Sequence, residues 1–343
     1  MIYRRRNLGE KETQLDICVN EDVSPWKNSG FDDYHFIHEA LPEIDLADVD
    51  ITTEFMGRKF AAPIAIAPMT GGYEAGTAVN KNLAAAAEEV GIMMSVGSQK
   101  VAIQKPELEE TFKVRDVAPN VYLFANLGAV QLNYGYGVEQ CRRCVEMIEG
   151  NALMFHLNPL QEALKDDGNT NFANLAEKIA DIKSKVDFPV FVREVCNGIS
   201  ARTANLLVGA GVDGIDAGGT GGTSWMIVEG IMAETEQKRL IAETFSEFGI
   251  PTAESVRNVR SVSDTIPLIA TGGVRSGRDV AKALALGADV AGIAAPVLKA
   301  ALVSTEKVKE VLHRFMDELR IIMFVQGIKN IEELKNMRKS MVG

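Results

Sequence analysis

Polar residues that recur just after short apolar runs are where this sequence could do chemistry. Met69 and Thr70, Ser98 and Lys100, Asn126, His156, Asn158, Gln161, Glu162, Arg193, Thr220, Thr223, Gly272, Gly273 and Arg275 each follow such a run within a few residues. Two of the stretches are glycine-rich, 217–223 (AGGTGGT) and 271–277 (TGGVRSG). Glycine lets a phosphate come close to the backbone, and a helix N-terminus just beyond favours an anion. Thr70, Ser98 and Asn126 are neutral hydrogen-bonding groups suited to the edge of a heteroaromatic ring. Arg193 would place a fixed cation at the electron-rich edge of such a ring, which stabilises an anionic reduced flavin. The same residues would also bind a sugar phosphate without any flavin.

The elements that must position these residues follow a rhythm of strand and helix. Apolar runs at Pro63–Ala67, Ile92–Val96, Val121–Ala125, Ala152–Phe155, Val190–Val192, Gly214–Asp216, Ile266–Ala270 and Val290–Ala294 are separated by segments of helical length. Helical patterns at Asn80–Glu89 and Ser276–Leu286 end at Gly91 and Gly287. Short strands apolar on both faces, alternating with helices, predict βαβ units and a parallel sheet. Eight units closing on themselves give a single (β/α)8 TIM barrel, an α/β fold. Every strand then delivers its C-terminal end to one mouth, and the last two loops commonly bind phosphate. An open doubly wound sheet would need a G-x-G-x-x-G after the first strand, which is absent. Residues 1–60 do not fit a barrel unit. They read as an N-terminal extension that packs on a barrel of residues 61–343 and reaches its active face. Arg4, Arg5 and Arg6 read as a solvated terminus or an anion contact.

Composition bounds the class. The 343 residues are 46% hydrophobic and 24% charged, enough for a sizeable core, and the net charge of −11 argues against a nucleic-acid surface. No stretch approaches the ~20 uncharged residues of a membrane span. The charged N-terminus lacks the apolar core of a signal peptide, so the expected location is the cytoplasm. Cys141 and Cys144 form a C-x-x-C within Glu139–Ile148, which reads as a helix. Without a second ligand pair, two thiols on one helical face is the simpler reading.

Five motifs carry a resemblance. They are Ala67-Pro-Met-Thr-Gly-Gly72, Ser95-Val-Gly-Ser-Gln99, His156-Leu-Asn-Pro-Leu-Gln-Glu162, Gly218-Gly-Thr-Gly-Gly-Thr-Ser-Trp225 and Thr271-Gly-Gly-Val-Arg-Ser-Gly277. Together they resemble type 2 isopentenyl diphosphate isomerase, an FMN-dependent (β/α)8 barrel family, from about Phe31 to about Asn336. The resemblance implies an isomerase that interconverts isopentenyl and dimethylallyl diphosphate on reduced flavin. Met69, Thr70, Ser98, Asn126, Arg193, Thr223, Gly273, Val274, Arg275, Ala294 and Ala295 would hold FMN. His156, Asn158, Gln161 and Arg193 would face the reaction. Lys11, Lys100 and Ser200, with Asn158 and Gln161, would hold a small-molecule substrate, and Glu162 would carry Mg²⁺, a hard cation that prefers oxygen ligands. It further implies NADPH as a reductant and a homo-oligomer, tetramer or octamer.

Departures from the family pattern sit on substrate anchoring. Glu10 stands where the family has arginine, Gln14 where it has histidine, Lys100 where it has arginine, and Arg193 where it has lysine. A carboxylate in place of a guanidinium reverses an interaction with phosphate. Three readings therefore stand side by side: the isomerase, an FMN oxidoreductase acting on a less anionic substrate, and a flavin-binding partner protein.

Overall fold

The computed structural model describes residues 9–337, so Arg4 to Arg6 lie outside the described residues. Eight parallel strands close into a barrel in the order β10-β3-β4-β5-β6-β7-β8-β9. They are β3 (Ile64–Ile66), β4 (Met93–Ser95), β5 (Leu123–Gly128), β6 (Ala152–Leu157), β7 (Val190–Glu194), β8 (Gly214–Asp216), β9 (Leu268–Thr271) and β10 (Val290–Ile293). All eight expected strands are present. β5, β6 and β7 run two or three residues further than the apolar runs suggest. Asn126, His156 and Arg193 therefore lie inside strands rather than in the loops beyond them. Polar residues on a strand's inner face do not end it, because the ladder uses backbone groups only.

Helices wrap the barrel: α1 (Glu10–Asn20), α2 (Glu74–Val90), α3 (Lys100–Gln104), α4 (Val138–Met147), α5 (Pro159–Leu164), α6 (Leu175–Lys183) and α7 (Ala201–Gly209), then α8 (Trp225–Met232), α9 (Glu236–Thr244), α10 (Thr252–Val262), α11 (Gly277–Leu286) and α12 (Ala295–Ala301), and finally α13 (Thr305–Phe324) and α14 (Ile331–Asn336). Local chemistry sets their ends. Ser276 caps α11 by accepting the Asp279 N–H, and Gly287, in the left-handed region at φ 119°, stops it. α13 packs on α2, α11 and α12, covering the seam where β10 meets β3. Cys141 and Cys144 lie on the inner face of α4, free and buried. Burial pushes the Cys141 thiol up to about 12 and raises that of Cys144 further, so neither is a ready thiolate.

Residues 9–60 serve both ends of the barrel. A hairpin of β1 (Thr53–Phe55) and β2 (Arg58–Phe60) closes one end. Its Phe55 and Phe60 join the inward residues Tyr122, Phe124, Met154 and Phe191 in one cluster. Phe124 and Phe191 meet edge to face at 5.2 Å. Such pairs add about 0.5–1.5 kcal/mol each beyond burial, so this is a rigid floor. At the other end, α1 packs on α8 and α12. The chain after it is tied to the glycine loops: Ser224 N donates to Val23 O at 2.8 Å and Ala253 N to Ser29 O at 2.9 Å. α1 was not foreseen as a helix, because its sequence, EKETQLDICVN, is polar and buries only Gln14 and Ile17.

Candidate active site

A belt of inward-facing polar side chains crosses β5 to β9 at the mouth. Register places Gly128 beside His156, His156 beside Arg193, and Arg193 beside Asp216. Asn126, two residues before Gly128, shares that face. His156 Nδ1 and Asn126 Oδ1 are 2.8 Å apart, while Asn126 Nδ2 donates to Val96 O at 3.2 Å. With the amide so oriented, Asn126 Oδ1 can only accept. His156 therefore carries its proton on Nδ1 and keeps a free lone pair on Nε2. Burial, then the cations Arg193, Lys11 and Lys100, push the imidazole down to about 3, so it is neutral at physiological pH. The ring passes over Gly128, where a Cβ would come within 3.1 Å of Nε2.

Arg193 and Asp216 form a buried pair, Nε to Oδ2, at 3.4 Å. Thr271 Oγ1 donates to Asp216 Oδ1 at 2.6 Å. Burial raises the Asp216 carboxyl against the pull of Arg193. The belt is thus anchored from below, and the guanidinium of Arg193 is held to one place.

Above it, α5 presents a network. Asn158 Nδ2 donates to Gln161 Oε1 at 3.1 Å and to Glu162 Oε1 at 2.9 Å, and Gln161 Nε2 donates to Glu229 Oε1 at 2.8 Å. The Gln161 amide is thereby fixed in both orientation and position. Asn158 Oδ1 is buried and has no partner among the described residues, a buried acceptor of the kind a ligand satisfies. Glu162 Oε2 accepts the Asn169 N–H at 2.5 Å, and Lys100 Nζ donates to Asn169 Oδ1 at 3.2 Å.

α1 brings Lys11 to this rim. Burial lowers its ammonium, partly offset by Glu10. Glu10 itself pairs with Lys165 Nζ at 2.6 Å and accepts from Gln14 Nε2 at 3.3 Å. Burial works against ionisation of Glu10, but Lys165 outweighs it and the carboxyl is held below its ordinary range. The negative charge at position 10 is therefore answered inside the chain.

The glycine loops make the second half of the site. A Cβ on Gly222 would fall 2.8 Å from the Gly273 nitrogen, and one on Gly273 would fall 2.5 Å from Gly221 O. Gly273 also needs the left-handed region, at φ 73°. Among the described residues, the N–H groups of Gly222, Thr223, Gly273 and Val274 donate to no backbone acceptor. Two loops in contact, with N–H groups to spare at the head of β8 and β9, fit a single phosphate. Across the mouth, Thr70 Oγ1 donates to Tyr73 Oη at 2.9 Å and Thr70 O accepts from Gly97 N at 3.1 Å, next to half-buried Met69 and Ser98. Ala294 and Ala295, both partly exposed, open α12, whereas the Val274 side chain is buried in the core and offers only its backbone. Arg275 is exposed, and its N–H is held by Asp279 at 2.9 Å.

A profile of the FMN-dependent dehydrogenase family matches residues 18–123 and 147–340. The isopentenyl-diphosphate delta-isomerase of Nostoc sp. is 45% identical over 327 residues, covering 95% of this chain and 93% of that protein. This chain belongs to that isomerase family, a branch of the FMN-dependent dehydrogenases. The namesake enzyme of Thermococcus onnurineus is 43% identical, with 95% and 89% covered, and that of Oceanobacillus iheyensis 40%, with 98% of both. A mandelate oxidase mutant solved with a C4a-OH-FMN adduct shares the fold at TM-score 0.65 and 20% identity, covering 94% of this chain and 93% of its own. A second mandelate oxidase structure does so at 0.63, with 94% and 93% covered.

Measured against the sequence reading for this isomerase family, Asn126, His156, Arg193, Asn158, Gln161, Glu162, Lys11 and Lys100 gather at one mouth. Ser200 does not join them. Its hydroxyl caps α7, accepting the Thr203 N–H, and lies beside a cavity on the far side of the β6–β7 wall. Among the described residues, no cluster of three or more His, Cys, Asp or Glu could hold a metal alone. Glu162 is one carboxylate, which suits a cation that takes its other ligands from a bound anion. Sequence reasoning missed Glu229, Lys165, Asp216 and Asn169. Glu229 did leave a signal, as the lone charge in the apolar helix WMIVEGIM. Asn169 left none.

Proposed function

We propose that this protein is an FMN-dependent isopentenyl-diphosphate delta-isomerase. The observation that carries the reading is the convergence, beside a single-phosphate glycine cradle, of Lys11 and Lys100 with Glu162 and a neutral His156. When bound, FMN supplies a redox-poised ring that can hold and deliver a proton.

The chain's own groups do the rest. Lys11 and Lys100 attract the substrate diphosphate. Glu162 would hold Mg²⁺, which would supply positive charge against the substrate diphosphate in a mostly acidic chain. Gln161, locked between Asn158 and Glu229, would line the substrate pocket with Asn158, whose Oδ1 is left to accept from a bound donor. His156, neutral with a bare Nε2, offers a hydrogen-bond acceptor without adding positive charge. Arg193, fixed by Asp216, would meet the electron-rich edge of the flavin. Met69, Thr70, Ser98, Asn126, Thr223, Gly273, Val274, Arg275, Ala294 and Ala295 would line the rest of the flavin's berth. Ser200 keeps a place in the proposal only if α7 shifts. The pairing of Glu10 with Lys165 removes much of the repulsion that would favour a less anionic substrate.

NADPH as reductant, a homo-oligomeric state of four or eight copies, cytoplasmic location, and a division into residues 1–60 and 61–343 complete the proposal. Among the described residues, no helix is long and apolar enough to cross a membrane. The test is to reconstitute the protein with FMN and Mg²⁺, reduce it, and follow isopentenyl diphosphate by NMR. Dimethylallyl diphosphate should form under reducing conditions and not with oxidised flavin. A protein that binds reducible FMN yet gives no product would sink the isomerase reading and revive the oxidoreductase.

A further inference from the structure

The chain that leaves α1 brings one residue of the N-terminal extension, Ser29, against both glycine loops. A Cβ on Gly221 would fall 2.7 Å from Ser29 Cβ, and one on Gly273 would fall 2.8 Å from the same atom. Both glycines lie in the left-handed region, at φ 118° and 73°. Each loop therefore gives up a side chain where Ser29 approaches. Ser29 is also held from both sides. Its carbonyl accepts the Ala253 N–H at 2.9 Å, and Asn28 Oδ1 accepts the Gly30 N–H at 2.9 Å. Before it, Lys27 Nζ donates to Gly249 O at 2.7 Å; after it, the buried Lys282 Nζ donates to Phe31 O at 2.7 Å.

Neither donor of Ser29 is used within the chain. Its N–H and its hydroxyl have no hydrogen-bond partner among the described residues, although the residue is half-buried. Packing alone gives the hydroxyl no use, since alanine would lie against glycine equally well. The same loops hold out the N–H groups of Gly222, Thr223, Gly273 and Val274, which no backbone acceptor takes among the described residues. Ser29 Oγ, one bond beyond a Cβ packed on both loops, therefore adds a hydroxyl donor to a set of N–H donors. The group such a set suits is a phosphate monoester, whose three strong acceptor oxygens take hydrogen bonds and, when ionised, offer none. We propose that Ser29 is a ligand of the flavin phosphate, its hydroxyl closing the cradle that the loops after β8 and β9 begin. The assignment rests on the FMN reading of the mouth, and it makes the N-terminal extension part of the cofactor site. Because its neighbours already fix Ser29, little order is lost when the bond forms.

Riboflavin, which is FMN without the phosphate, supplies the test. The full chain, freed of flavin, is titrated with FMN and with riboflavin, and binding is read from quenching of the flavin fluorescence. Wild type should bind FMN far more tightly than riboflavin. Ser29→Ala should weaken FMN at least about tenfold, the loss of one hydrogen bond to a charged group, and leave riboflavin unchanged. A variant that weakens both ligands equally would give Ser29 a packing role and overturn the assignment, and so would one that weakens neither. Riboflavin bound by wild type as tightly as FMN would remove the phosphate cradle, and the assignment with it. Wild type that binds neither flavin would overturn the FMN reading itself, so the two failures are told apart.

Discussion

Acidifying the protein tests the neutral state of His156 directly. Its imidazole is held at about 3 rather than 6.5, first by burial and then by Arg193, Lys11 and Lys100. The folded chain thus refuses a proton that the unfolded chain accepts. Below pH 6.5 the unfolded state binds more protons at this residue, so stability falls as pH falls, and the loss levels off near pH 3. At pH 5 the unfolded imidazole lies about 1.5 units below its own pKa, which favours unfolding by about 2 kcal/mol. His156 keeps a partly exposed edge toward the mouth, so this is an upper value. The assay compares wild type with His156→Gln, which keeps a donor for Asn126 Oδ1 but cannot titrate. Urea unfolding at pH 7.5 and pH 5, at a fixed excess of FMN, gives the loss for each. Wild type should lose about 1–2 kcal/mol more than the variant between the two pH values. Equal losses, or an imidazole titrating near 6.5 by NMR in the folded protein, would refute the argument. Either result would mean that the ring is better solvated than its burial implies, or that the cations around it are screened.

Other perturbations probe the remaining parts. Gly273→Ala puts a Cβ 2.5 Å from Gly221 O at a φ of 73°, so FMN affinity should fall at least about tenfold by fluorescence titration while the barrel stays folded. Glu162→Gln should abolish Mg²⁺-dependent turnover and leave flavin bound; an unaltered Mg²⁺ titration would make Glu162 structural. Lys165→Gln removes the ion pair that answers Glu10 at the rim and should raise KM for the diphosphate more than it lowers kcat, whereas Lys165→Gln with Glu10→Gln should recover most of the loss. Arg260→Met removes bonds to Gly287 O, Ile266 O and Asp289, the last at 2.7 Å, from a buried position. It should cost about 3–5 kcal/mol in urea unfolding without altering the flavin spectrum.

The barrel was legible in the sequence because its signals are local. Short apolar runs, glycines that stop helices, and polar residues at a regular distance past each run come from propensity and periodicity alone. The glycine loops were equally legible, since a left-handed φ such as that of Gly273 constrains residue type at that position. Distance-dependent features were not. That Asn126 fixes the tautomer of His156 depends on two strands sharing register, which no local pattern encodes. Glu10 looked like an anion set against a phosphate, and only the packing of α1 against the barrel brings Lys165 to meet it. Ser200 sits within a few residues of Arg193 in sequence, yet strand alternation and the start of α7 put it on the other side of the wall. Side-chain type and spacing named the chemistry; which groups meet, and with what charge between them, was decided by the closure of the barrel and by the N-terminal helix laid over its mouth.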